Sequence, residues 1–272
     1  MRRATHRAVR RTIAALLSQT HLHVGDAMSV LVKQTIGEIA ASNPHAAKLF
    51  DLVGIDYCGH GNLTLRDACA DSGLNAIEIR NAVQQLPRDA SEKSWLDQPL
   101  SELVAFLRNE RHPALRRSLT HAAALFAEVC DVGTEHPVEL DEARVLFNGI
   151  CDEIHPHIIH EEHVIFPVAE HLEECWANSE KPSMTLMGGL HRPMALLVLD
   201  HEDVLARVAR SRAIVESYAG DDARWMLRDA LLQVEHELKL NIHLENNVLF
   251  PRATALETAV ANDVRKPAPS PA

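Results

Sequence analysis

His157-Ile158-Ile159-His160-Glu161-Glu162-His163-Val164-Ile165-Phe166-Pro167 is echoed further along the chain by Asn241-Ile242-His243-Leu244-Glu245-Asn246-Asn247-Val248-Leu249-Phe250-Pro251. The two stretches agree at Glu161 and Glu245 and again through Val, Ile or Leu, Phe and Pro. On a helix, residues i and i+4 lie about 40° apart around the axis and one turn along it. His157 and Glu161 therefore aim at one point, with Ile158, Val164 and Ile165 forming the flank and core around it. A buried imidazole beside a buried carboxylate is costly unless the two are paired or bind a metal. Two such segments on two helices would set Glu161 and Glu245 as bridges between two metals, the general plan of a di-iron helical bundle.

Working outward, four long helical patterns follow Asp97. They run over about 99–132, 139–175, 190–219 and 222–257. Asp97 or Gln98 is the expected cap of the first, with Pro99 in its tolerated first turn. Gly133, Pro137, Gly188-Gly189 and Gly220 break the connections. Helices of this length with short joins form an antiparallel four-helix bundle. Its first and third helices must supply the remaining nitrogens, and His112 and His201 each sit near mid-helix on a stretch aimed at the core. Any one of these histidines alone reads better as an ordinary core or surface residue. The set His112, His157, Glu161, His201 and Glu245 falls at one depth of the four-helix plan.

Other histidines read as incidental. His160 and His163 point away from the His157–Glu161 face. His121, His136, His171 and His191 fall near helix ends or loops, and His155 is at most a supporting neighbour. Pro113, Pro156 and Pro193 should kink or start helical segments.

Composition agrees with a helical metal protein. The chain has 272 residues with 46% apolar, 24% charged and 4% aromatic content, and only 11 Gly, so an all-β chain rich in tight turns is disfavoured. Of 17 His, those between His112 and His243 form the dense cluster that a borderline cation requires. The net charge of −11 argues against nucleic acid as a partner. No apolar run approaches the roughly 18 residues of a membrane span. Five Cys, Cys58, Cys69, Cys130, Cys151 and Cys175, are odd in number and lack a CxxC pair, which is no disulfide framework and fits a reducing cytoplasm.

Ahead of the bundle, residues 32–88 read as a small helical unit. Short helices are expected over 35–43, 45–53, 63–71 and 76–85, with a turn-rich stretch Asp56-Tyr57-Cys58-Gly59-His60-Gly61-Asn62 among them. Pro87 to Ser94 reads as a linker leading into the bundle domain, 97–257. Residues 1–31 are a basic extension carrying Arg2, Arg3, Arg7, Arg10 and Arg11. Its apolar run is too short for an export signal, and a variable extension upstream of a start at Met28 is the preferred reading. Residues 258–272 read as a Pro-rich disordered tail.

At this point the chain resembles the iron–sulfur cluster repair di-iron proteins, the repair-of-iron-centres family. The resemblance covers about Thr35 to Ala253. It is carried by Thr35–Pro44, Gly54-Ile55-Asp56-Tyr57-Cys58, Glu92-Lys93-Ser94-Trp95 and the specific string Leu244-Glu245-Asn246-Asn247-Val248-Leu249-Phe250-Pro251. It implies an all-α fold, a hemerythrin-like bundle preceded by a small Cys-bearing domain. It implies two non-haem iron ions held by His112, His157, Glu161, His201 and Glu245. The sixth ligand of the family is a His, where this chain has Asn241. The family's paired Cys is reduced to Cys58, followed by Gly59 and His60. Cys58 is the candidate redox thiol; with His60 it could hold a metal or form a mixed disulfide, and the reading as a leftover loop thiol stands beside that one.

The implied function is cytoplasmic repair of, or iron supply to, damaged iron–sulfur proteins under nitrosative or oxidative stress. Nitric oxide or oxygen would be the small partner, with a homodimer left open. The alternative is a hemerythrin-like oxygen or nitric oxide binding or sensing module without repair activity. A metal-poor structural homologue is a third reading, prompted by Asn241.

Overall fold

A computed structural model describes residues 33–87, 94–130, 137–182, 189–218 and 222–262. The expected basic extension, most of the linker, the glycine connections at 133, 188 and 220, and most of the tail lie outside these residues. The described structure is helical, with only an isolated bridge between Thr35 and Thr64. Two compact units are present. One comprises the described residues up to Gln98 together with His243–Val248; the other comprises Pro99–Ile242 and the residues from Leu249 on.

The first unit begins with four short helices, α1 (Ile36–Ser42), α2 (Pro44–Val53), α3 (Leu65–Asp71) and α4 (Ala76–Gln85). Each start is set by a side-chain oxygen that accepts an otherwise orphaned N–H. Thr35 and Glu38 form a reciprocal capping box, and Asn43, Thr64 and Asn75 cap the next three. Gly54 ends α2 in the left-handed region at φ 76°, where a side chain would be strained. Ile36, Leu49, Phe50, Tyr57, Leu65 and Ile79 are buried together as its apolar interior.

The bundle, most of it in the second unit, consists of four long helical runs. The first run consists of α5 (Leu100–Phe106), a π turn π1 (Leu107–Arg111) and α6 (His112–Cys130). The second is α7 (Val138–His160), π2 (Glu161–Ile165) and α8 (Phe166–Asn178). The third is α9 (His191–Ser217); the fourth is α10 (Asp222–Leu244), π3 (Glu245–Leu249) and α11 (Phe250–Ala261). Leu103, Leu107, Phe126, Phe147, Phe166 and Leu231 are among the side chains sealed in its core.

Several local expectations are corrected. Neither Asp97 nor Gln98 caps the first run. Pro99 itself occupies the N-cap, where no side chain can cap, and the first two N–H groups donate instead to Glu173, at 2.6 Å from Leu100 and 2.9 Å from Ser101. Val164, expected in the core, is 44% exposed, because the π turn it occupies rotates it outward. His121 and His171 lie within α6 and α8 rather than near helix ends. His155 is exposed.

The π turns share a cause readable in the chain. Pro113, Pro167 and Pro251 each stand two residues beyond the end of a π turn. A proline has no N–H, and its ring crowds the carbonyl four residues back. Widening the preceding turn by one residue relieves that crowding and leaves fewer orphaned carbonyls. Pro156, accommodated inside α7, shows that proline alone does not force the widening.

Candidate metal centre

Glu161 opens π2 at the middle of the second run and is 1% exposed. Three imidazoles face it. His157 Nε2 lies 3.3 Å from Glu161 Oε1, His201 Nε2 lies 3.8 Å from the same oxygen, and His112 Nε2 lies 3.7 Å from Oε2. His157 and His201 also approach each other, Nε2 to Nε2, at 2.8 Å. Two groups of donors result: His157, Glu161 and His201, and His112, Glu161 and Glu245, each with its ligand atoms within 4.8 Å of one another. Glu161 belongs to both.

The local fold explains this convergence. His157 and Glu161 are one turn apart on the second run, as the i, i+4 spacing requires. His112 is the first residue after π1, Glu161 the first of π2 and Glu245 the first of π3, so each sits at a widened turn. His201 is buried in the middle of α9 and stacks on Phe250. His112 stacks on Phe166.

Glu162 was missed by sequence reasoning. Its Oε1 accepts from His112 Nδ1 at 2.9 Å, and its Oε2 accepts from Arg116 at 3.2 Å. A carboxylate on the far nitrogen turns the ring so that Nε2 faces inward, the usual support for a metal-binding imidazole. Burial pushes the Glu162 carboxyl up, but the hydrogen bonds from His112 and Arg116 outweigh it and hold the group below the usual carboxylate range. Its signal was the adjacent pair Glu161-Glu162, in which one carboxylate turns inward and its neighbour reaches the next helix.

Asn241 is buried at 3% exposure, one turn before Glu245. Its Nδ2 donates to the Glu237 carbonyl at 2.7 Å, while its Oδ1 has no hydrogen-bond partner among the described residues. His243 is also buried, but turned to other company. Asn247 Nδ2 donates to the Tyr57 carbonyl at 2.9 Å and lies 3.1 Å from His243 Nδ1. Burial pulls the His243 imidazole down to about 4, so it is neutral and accepts at Nδ1. His243 is in neither donor group, as the helical register implies. His160 and His163 are exposed and likewise stand outside both groups.

Cys58 lies in the first unit and is 2% exposed. Asp56 organises its loop, with Oδ1 accepting from the N–H groups of Cys58 at 3.1 Å and Gly59 at 3.0 Å. The His60 ring is bound to Asp56 Oδ2 at 3.0 Å and is mostly exposed. Neither Cys58 nor His60 joins a group of three or more metal-type donors among the described residues.

The donor chemistry fits a metal. A carboxylate sealed among three imidazole nitrogens is a set of electron-pair donors turned to one interior space, and the buried Asn241 amide oxygen, one helical turn from Glu245 in sequence, has no partner among the described residues. Beside it, a cavity of about 410 Å³ is lined by His157, His160, Asp152, Asp200, Leu197 and Val204, among others.

A helical bundle with this carboxylate–imidazole interior is the architecture of hemerythrin-type cation-binding domains. The family model described as the hemerythrin HHE cation binding domain matches residues 109–253, and the chain belongs to that family. Residues 32–87 match a second model, described as a domain of unknown function, DUF542. Among similar proteins is the iron-sulfur cluster repair protein YtfE of Pectobacterium carotovorum, 27% identical over 81% of this chain and 96% of that protein. Those of Edwardsiella ictaluri and an Escherichia coli strain are each 26% identical, covering 80% and 82% of this chain and 95% and 98% of theirs.

Proposed function

We propose that this chain is a non-haem di-iron protein that repairs, or supplies iron to, damaged iron–sulfur clusters under nitrosative or oxidative stress. The observation that carries the reading is the sharing of Glu161 by two donor groups. A carboxylate with two oxygens can serve two cations at once. In this arrangement Glu161 would serve both ions, His157 and His201 would hold one, and His112 and Glu245 would hold the other. Bound iron would supply one-electron chemistry and open positions for nitric oxide or oxygen.

The protein's own residues do the rest. Glu162 and Arg116 hold the His112 ring in place. Phe166 and Phe250 cover His112 and His201 and keep bulk water from them. The cavity beside His157 gives a small molecule or a cation a route in, past Asp152, Asp200 and His160. Support for the repair role comes from relatives that carry that name over nearly their whole length. No described helix is long and apolar enough to cross a membrane.

The test is reactivation of a nitrosylated iron–sulfur dehydratase by iron-loaded protein. Recovery of activity that Glu161→Gln abolishes supports the proposal. Cys58 favours a second reading, since its thiol is buried and Gly59 stands beside it where a second thiol would be needed for a dithiol couple. In that reading the chain binds or senses gas without repair. Reversible oxygen or nitric oxide binding with no reactivation selects it.

A further inference from the structure

Asn241 presents one polar atom without an evident use. The Glu237 carbonyl can only accept, so the atom facing it must be the amide nitrogen, and the end left over must be the oxygen. That oxygen is buried and has no partner among the described residues. An amide oxygen in that condition costs free energy unless something positive meets it. Asn241 lies one helical turn from Glu245, on the same face, and both are sealed from solvent.

Building on the di-iron reading, we propose that Asn241 Oδ1 is a ligand of the position defined by His112, Glu161 and Glu245, and that this makes the two metal positions chemically unequal. The His157–Glu161–His201 position offers two imidazoles and one carboxylate. The other offers one imidazole, two carboxylates and an amide oxygen. Imidazole-rich sites suit iron, while oxygen-rich sites suit harder ions such as Mn²⁺ and hold iron less tightly. The Asn241 position is therefore the exchangeable one, the place from which an ion is given up first.

The full chain is loaded with Fe²⁺ under argon, iron per chain is measured, and release is followed after a ferrous chelator is added. The wild-type protein should lose two irons in two separate phases, with added Mn²⁺ replacing only the fast one. Asn241→His should slow the fast phase by at least about tenfold, the lower end of what a supporting residue is worth to a metal site. Asn241→Asp, which keeps an oxygen and adds charge, should retain both irons. Asn241→Leu should hold one iron, released at the slow rate, with helicity by circular dichroism unchanged. Two irons with wild-type release rates in both the His and Leu variants would overturn the inference while leaving the di-iron reading intact. Loss of the fast iron from both the Asp and Leu variants would overturn it too. Wild-type protein that takes up no iron would overturn the di-iron reading itself and this inference with it.

Discussion

Asn247 lies so close to Gly61 that a β-carbon added there would sit 1.9 Å from Asn247 Oδ1. A β-carbon on Gly37 would meet both Asn247 Cγ and the Gly61 carbonyl at 2.9 Å. Asn247 cannot simply turn aside, because Nδ2 is held by the Tyr57 carbonyl and the His243 ring. Gly61→Ala should therefore destabilise the chain by about 1–3 kcal/mol, the usual cost of overpacking. Asn247→Ala in the same chain should recover part of that loss, whereas it should recover less for Gly37→Ala, where backbone is also in the way. Thermal unfolding of the single and double variants checks this; additive losses would contradict it.

Iron content distinguishes the inward from the outward residues of the second run. His157→Ala and Glu161→Ala should each sharply reduce bound iron. His160→Ala and His163→Ala should not, since both rings are exposed. Equal loss in all four would mean that the face assignment is wrong.

Glu162 should matter without touching metal. Glu162→Gln keeps the shape but removes the charge that His112 Nδ1 and Arg116 both address. Iron affinity should fall by about 10–100-fold, with thermal stability of the metal-free protein little changed. A drop in stability with unaltered affinity would make Glu162 a packing residue only.

Glu173 caps α5 in place of the usual N-cap side chain. Burial pushes its carboxyl up, yet the hydrogen bonds from Ser101 and Leu100, with Arg252 nearby, hold it below the usual range. A carboxyl lowered in the folded state adds stability above its unfolded pKa and loses that contribution as pH falls through the folded value. Glu173→Ala should cost about 0.5–2 kcal/mol at neutral pH, and the difference from wild type should shrink in acid. Chemical denaturation at several pH values reads this directly.

Cys58→Ser should leave helicity and iron content unchanged. If the thiol takes part in repair, reactivation of a damaged cluster falls; an unaltered rate assigns the thiol to packing.

The architecture was largely legible in advance because its signals are local. The short helices expected over 45–53 and 76–85 match the observed ends to within a residue, and the 157–167 and 241–251 echo marks the inward faces. His112 and His201 were found because histidine on a core-facing stretch is conspicuous. What escaped depends on partners distant in sequence. Glu162 acts only through His112, Glu173 caps a helix that begins 73 residues earlier, and Asn247 matters through Gly37 and Gly61. Val164 was misplaced because a 3.6-residue period was carried unbroken through a π turn.

Those turns change how the three long helices that contain them keep time. A π turn adds one residue without adding length, so the stretches on either side differ in phase by about 100°. The stretch before the turn can be tuned to one set of neighbours and the stretch after it to another, with no twist shared between them. Replacing Pro113, Pro167 or Pro251 would do more than remove a kink. It would permit the helix to tighten, and the inward residues on one side of the turn would swing round to face solvent.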